Sequence, residues 1–254
     1  MQRLRPSNIA PGLLVAHGVE VPEDAEIEPN VTIYAGVVLG ARVRLGAGAV
    51  IGRPQRIDAN SRAPRRPRNE PTLIGADCIV GSCAIVVAGV EIGARSALGD
   101  GALVRETAVL GEEVVVGHSV SVGRRTELGF GTRIQAGTRV GPRTRIGEEV
   151  MVGPNVVFIG DPTHGRGEID EDSPGIRVGR RARIGSGAIL NPPLEIGEEA
   201  VVGAGSFVRA DVPDRTVVVG APARFLRCVR DDELRCDPAL CARREARAAE
   251  SGLI

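Results

Sequence analysis

Three histidines, His17, His118 and His164, are the only side chains in this chain whose ordinary pKa lies near neutrality. His118 sits in the run VVVGHSVSVG, with Asp100 before it and Ala136 after it at equal spacing. An imidazole oriented by a carboxylate can act as a general base and take a proton from an incoming amine or hydroxyl. A backbone N–H beside it, here that of Ala136, can receive the negative charge that builds on an attacked carbonyl. These residues form one group only if the fold itself repeats at that same spacing. A second group lies in the polar stretch 159–177 (IGDPTHGRGEIDEDSPGIR), where Asp161 and His164 offer a rival base or contacts to an acceptor. The bland alternative for His118 is an exposed turn residue, and His17 is expected to lie on the surface. Of the five cysteines, Cys228, Cys236 and Cys241 lack the paired spacing of a zinc site, and Cys78 and Cys83 fit small-residue positions, so no metal is expected.

The elements that would position these groups are written in a repeat. An aliphatic or aromatic anchor recurs in every hexad from Ile74, through Val116 close to His118, to Phe158, without a slip. Further runs extend from Ile27 to Ile57 and from Val178 to Val208. Late in each hexad stands a small or β-branched residue, such as Ser96, Ala102, Thr126 or Thr138. A period of six cannot hold one face of a helix at 3.6 residues per turn, but it suits short strands joined by tight turns. The glycines after most anchors are expected to supply the backbone angles of the corners. Three hexads close a triangular coil, so the expected fold is all-β: a left-handed parallel β-helix of about nine coils. Residues 1–26 are expected to be irregular and 27–227 to form the β-helix, with loops at 53–72 and 159–177. Residues 228–254 are expected to form a helical tail, with Asp237 and Pro238 at its start. On a coil of three hexads, Asp100, His118, Ala136 and Pro154 share one edge. If the 159–177 loop replaces a single corner, Ser186 and Ala204 continue that edge.

Composition fits a narrow core. The chain is 43% hydrophobic but only 2% aromatic, with 34 glycines, so Val, Ile, Leu and Ala must carry the burial. Formal net charge is zero and no extended basic block is present, which argues against nucleic-acid binding. No apolar run reaches membrane-spanning length. The N-terminal MQRLRPSNIA lacks an apolar signal core, and an odd number of cysteines without such a signal points to a reducing cytoplasm.

The run IGSGAILNPPLEIGEEAVVGAGSFVRADVPDRTVVVGAPARFLR resembles the end of hexapeptide-repeat acyltransferases, among them the galactoside acetyltransferases. The segment RIQAGTRVGPRTRIGEEVMVGPNVVFIGDP is similar to the middle of nucleotide-linked amino-sugar N-acetyltransferases. The turn around His118 resembles the histidine-bearing turn of the UDP-N-acetylglucosamine acyltransferases, where the histidine is the base. The resemblance implies a homotrimer with acetyl-CoA or another acyl-CoA lying between neighbouring prisms. It implies that Ser186 and Ala204 offer backbone groups to the pantetheine arm, and that Arg224 and Arg227 meet the nucleotide phosphates. In the galactoside-type alignment the catalytic position falls on Asp161. The amino-sugar enzymes carry paired asparagines after the glutamine of the IQ motif, whereas Gln135 here precedes Ala136 and Gly137. The implied activity is transfer of an acyl group to an amine of a nucleotide-linked or antibiotic-type amino sugar, with Gln135, Asp161 and His164 near the acceptor. O-acylation of a sugar or natural-product hydroxyl is the near alternative. A carbonic-anhydrase-like metal site needs a second histidine shortly after His118, where Gly123 stands, and a purely structural solenoid would not need the Arg224/Arg227 motif.

Overall fold

A computed structural model describes residues 4–6, 8–55, 70–161, 163, 166 and 175–234. Its strands form three parallel sheets, which are the faces of a triangular prism. Sheet I contains Thr32–Ile33, Leu103–Val104, Ser121–Val122 and Val157–Phe158, among others; sheet II contains Val109–Leu110, Glu127–Leu128 and Arg145–Ile146; sheet III contains Ala97–Leu98, Val115–Val116 and Arg133–Ile134. The chain visits sheets I, II and III in turn. Register between coils is the three-hexad step expected from the repeat: Val116 pairs with Leu98 below and Ile134 above. Across the second insertion, Ile146 pairs with Val178. That insertion therefore replaces one corner and leaves the later coils in phase.

The anchors point inward. Ile33, Ile51, Val86, Val104, Val122, Val152 and Leu190 are fully buried. Ile57, the last anchor of the first run, lies outside the described residues. The small positions also face inward, and their hydroxyls bridge coils. Thr138 Oγ1 accepts from the Val156 N–H at 3.1 Å and donates to the Gly153 carbonyl at 2.9 Å. Thr132 does the same with Val150 and Gly147. These polar atoms in the core are thus paired, which avoids the cost of burying an unbonded hydroxyl. Cys78 takes the same slot: its Sγ donates to the Gly93 carbonyl at 3.1 Å, and burial pushes the thiol's pKa up.

Two boundaries differ from the sequence expectation. The prism starts before residue 27, because Leu14–Ala16 pairs in parallel with Thr32–Ile33 and antiparallel with Leu4–Pro6, and Leu13 is fully buried. This adds a coil, so sheet I runs to ten strands in parallel besides Leu4–Pro6. At the other end, Ala223–Cys228 is a strand that folds back antiparallel on Thr216–Gly220. A single 3₁₀ turn, Asp231–Leu234, follows. The tail helix expected from Asp237 and Pro238 lies outside the described residues, as does most of the 53–72 loop.

The glycines after the anchors also have a different cause from the one expected. Positive φ falls two positions later, on Asp77, Cys83, Arg95, Ser119 and their equivalents. The glycine is required by close approach: a Cβ on Gly99 would come within 2.5 Å of the His118 nitrogen, and one on Gly117 within 2.8 Å of the Ala136 nitrogen. Each corner packs directly onto the next coil's backbone.

Candidate active site

The edge between sheets III and I carries the candidate residues. Ser119 N–H donates to the Asp100 carbonyl at 2.9 Å, Gly137 to His118 at 3.0 Å, Asn155 to Ala136 at 2.9 Å, Gly187 to Pro154 at 2.9 Å and Gly205 to Ser186 at 2.8 Å. These bonds stack residues 100, 118, 136, 154, 186 and 204 in one column. Strands one coil apart lie about 4.8 Å from each other, so His118 and Ala204 are separated by roughly 19 Å. His118, Ser186 and Ala204 are exposed and Ala136 is half-buried. The N–H groups of His118, Ala136, Ser186 and Ala204 have no acceptor among the described residues. The column is therefore a row of free donors, interrupted by Pro154, with one imidazole near its lower end. It fits a long flexible ligand with carbonyl groups along its length.

Asp100 behaves differently from its expected role. Its Oδ1 accepts from the Ser82 N–H at 2.8 Å, one coil below, and the structure contains no Asp100–His118 hydrogen bond. The carboxylate caps a turn amide of the coil below, while the His118 side chain is exposed. Gln135 is exposed beside Ala136, with Nε2 3.9 Å from the Met151 sulfur.

Asp161 lies at another edge. It follows Val157–Phe158 at the junction of sheets I and II, so the width of sheet I separates it from the His118 column within one chain. Its Oδ1 accepts from the Thr163 N–H at 2.8 Å and from Thr163 Oγ1 at 2.6 Å. His164 lies outside the described residues.

The two C-terminal arginines are not equivalent. Arg224 is exposed and lines a cavity of about 400 Å³ with Arg209, Asp211, Thr216 and Phe225. Among the described residues its guanidinium bonds to the Ala223 carbonyl alone, at 2.9 Å. Arg227 is clamped in a two-pronged ion pair with Glu233, at 2.7 Å for each prong. That pair and the Arg230 N–H hold the Glu233 carboxyl down at about 2. Arg224 is free to meet a phosphate, whereas Arg227 would first have to release Glu233.

Three residues on or beside the column were not singled out from sequence. Asn155 lies one coil above Gly137, where its side chain occupies the space a Cβ on residue 137 would need. Arg133 and Arg139 flank the Ala136 corner on sheets III and I. The same coil arithmetic that aligned His118 with Ala136 would have shown them. Among the described residues no cluster of three or more His, Cys, Asp or Glu is placed to hold a metal ion, and no helix is long and apolar enough to cross a membrane.

Comparison with known proteins agrees with this architecture. Residues 18–53 match the model described as bacterial transferase hexapeptide (six repeats), and 71–105 and 175–210 match the hexapeptide repeat of succinyl-transferase. The chain is a hexapeptide-repeat protein of the left-handed β-helix class and resembles the acyltransferases built on that fold. A galactoside O-acetyltransferase of Escherichia coli (strain K12) is 41% identical over 56 residues, which is 22% of this chain and 28% of the relative. The carnitine operon protein CaiE of Salmonella agona (strain SL483) is 45% identical over 62 residues, 24% of this chain and 31% of the relative. The chain thus spans about a third or less of the curated relatives it matches. Among solved structures, LpxA from Acinetobacter baumannii superposes with a TM-score of 0.54 at 15% identity, covering 91% of this chain and 83% of that one. LpxA from Bacteroides fragilis, a UDP-N-acetylglucosamine acyltransferase, gives 0.54 at 16%, covering 88% and 74%. At that identity the likeness is one of fold.

Proposed function

We propose that the chain is an acyl-CoA-dependent acyltransferase that transfers an acetyl group to an amine of a nucleotide-linked or antibiotic-type amino sugar. The observation that supports this most is the column of free N–H donors leading from His118 towards the Arg224 cavity. The pantetheine arm would lie along it, with its carbonyls on the Ser186 and Ala204 N–H groups and its phosphates on Arg224. The thioester would then rest at His118. The amine nitrogen attacks the thioester carbonyl while the imidazole takes its proton. The Ala136 N–H receives the oxyanion, the C–S bond breaks, and the proton passes on to the leaving thiolate. Neighbouring prisms of a homotrimer would wall the groove, and Gln135 would contact the acceptor.

Acetylation of a sugar hydroxyl is the second reading. It is favoured by the stretch shared with a galactoside O-acetyltransferase and uses the same base and donor. Asp161 and His164 are the rival base in either reading, and Asp161 lies on the other edge of sheet I. Steady-state assays with acetyl-CoA and a panel of amino sugars and sugars test the proposal. Transfer to an amine, lost in His118→Ala with acetyl-CoA affinity retained, is the expected result. Turnover retained in His118→Ala but lost in Asp161→Asn would move the base to the loop.

A further inference from the structure

We propose that the acceptor carries an anionic group, a carboxylate or a phosphate, and that Arg133 and Arg139 bind it beside the reacting centre. This rests on the acyltransferase reading above. His118 stands midway along its corner between Val115 of sheet III and Ser121 of sheet I. One coil higher, Arg133 pairs in register with Val115 and Arg139 with Ser121. The two arginines therefore stand on either side of the turn that presents the Ala136 N–H, one on each face of the edge. Arg133 is half-buried and Arg139 is exposed.

Neither has an ion-pair partner among the described residues, and the ladder explains why. Arg133 has Val115 below it and Met151 above, while Arg139 has Ser121 below and Val157 above. Two other outward arginines of the ladder do meet a carboxylate on the neighbouring coil: Arg44 with Glu26 at 3.1 Å and Arg145 with Glu127 at 3.3 Å. Asp100, the acid on this edge nearest to His118, lies two coils below the arginines and is bonded to Ser82. Two positive charges are thus left unmatched at the one corner where transfer is proposed. A guanidinium fork binds a carboxylate or phosphate through two parallel hydrogen bonds. The coenzyme's own phosphates do not fit this place, because the thioester end of the arm rests at His118 and the phosphate end lies several coils away near Arg224. The charge meeting Arg133 and Arg139 must come from the acceptor.

The test uses the full chain and acceptor pairs that differ in an anionic group: glucosamine with glucosamine 6-phosphate, and galactose with galacturonate. In each pair the charged member is expected to have the lower KM. Arg133→Gln and Arg139→Gln should each raise its KM about tenfold, the scale of one hydrogen bond to a charged group, with the KM for acetyl-CoA unchanged. Independently of turnover, glucose 6-phosphate or galacturonate should protect Arg133 and Arg139, but not Arg145, from phenylglyoxal, read residue by residue by mass spectrometry. A preference for the neutral member, or one that survives both substitutions, overturns the proposal. Loss of acetyl-CoA affinity in the variants would assign the arginines to the coenzyme, and dissociation of the oligomer would assign them to a second copy; either result also overturns it. Protection without transfer to any acceptor would leave the anion site standing and sink the acyltransferase reading instead. Neither protection nor transfer would sink both.

Discussion

Two edges of the prism make the same turn with opposite side-chain content. Along the edge between sheets II and III, the positive-φ position is held by Arg42, Asp77, Arg95, Glu113, Glu149, Arg181, Glu199 and Arg215. Charges alternate up this edge, and neighbours pair: Arg42 with Asp77 at 2.6 Å, Arg95 with Glu113 at 3.2 Å, Glu149 with Arg181 at 2.6 Å and Glu199 with Arg215 at 2.9 Å. Gly131, behind the buried Phe130, is the one break among them. Along the edge between sheets III and I, the equivalent positions are Gly48, Cys83, Gly101, Ser119, Gly137, Asn155, Gly187 and Gly205. Below His118 this backbone is capped by carboxylates, Glu28 on the Ala47 N–H and Asp100 on the Ser82 N–H, each at 2.8 Å. From His118 upward no side chain among the described residues caps the equivalent N–H groups. Placing a bulky residue in the left-handed region costs on the order of 1 kcal/mol, and the II/III edge bears that cost many times over. It recovers part of it by matching charges between coils. The III/I edge is kept bare from His118 upward, and a bare edge with free N–H groups can accept a ligand along that length.

The largest test of this contrast is on the bare edge. His118→Ala is expected to lower turnover by about 10²–10⁴-fold, the range for a general base, with little change in acetyl-CoA affinity and an unchanged melting temperature. The same substitution at His17, exposed and far from the column, should leave turnover as it is. If both variants behave alike, the edge is not the active site.

On the charged edge the expected effect is on stability. Arg181 lies between Glu149, whose side chain is 2% exposed, and Glu199. Arg181→Ala strands a buried carboxylate and should cost about 3 kcal/mol in chemical denaturation. Turnover per folded molecule should not change. If activity falls with stability intact, the division between a structural edge and a functional edge fails.

Arg224→Ala should weaken acetyl-CoA binding about tenfold or more, the effect of losing hydrogen bonds to a charged group, as read by calorimetric titration. Glu233→Gln should strengthen it, because Arg227 is then released to join Arg224. The Glu233 carboxyl is held at about 2, well below its ordinary value, mainly by Arg227. Its ion pair is therefore fully formed above the ordinary carboxylate range and is lost only as pH falls towards 2. Coenzyme affinity should show no step from this group near neutrality. The smallest effect is expected at the exposed end of the ladder. Arg42→Ala removes a pair in which both side chains are well exposed and should leave the melting temperature nearly unchanged.

Much of this was legible in the chain. Val116, Ile134 and Val152 are hexad anchors that also stand one full coil apart, and a solenoid turns that local spacing directly into three-dimensional neighbours. The stacking of His118 and Ala136 followed from counting alone. Its continuation through Ser186 and Ala204 rested on the condition that the 159–177 segment replaces one corner, which the Ile146–Val178 register meets. The same counting would have exposed the unmatched Arg133 and Arg139 had it been applied to the outward positions.

What counting could not supply depends on contacts that break the period. Leu14–Ala16 joins sheet I ahead of the expected start because Leu4–Pro6 folds back on it. Arg227 is clamped because a short turn returns Glu233 to it. Asp100 bonds to Ser82 and not to His118, a choice between two neighbours equally close in the repeat. Asp161 and His118 fall on opposite edges of sheet I because 159–161 follows a sheet I strand while His118 precedes one. The prism and the stacking of its residues are written in the order of amino acids, since burial of one small set of side chains recurs at every coil. The direction each exposed polar group takes, and what it meets, is settled in the folded coil, where neighbours distant in the chain compete for the same donors and charges.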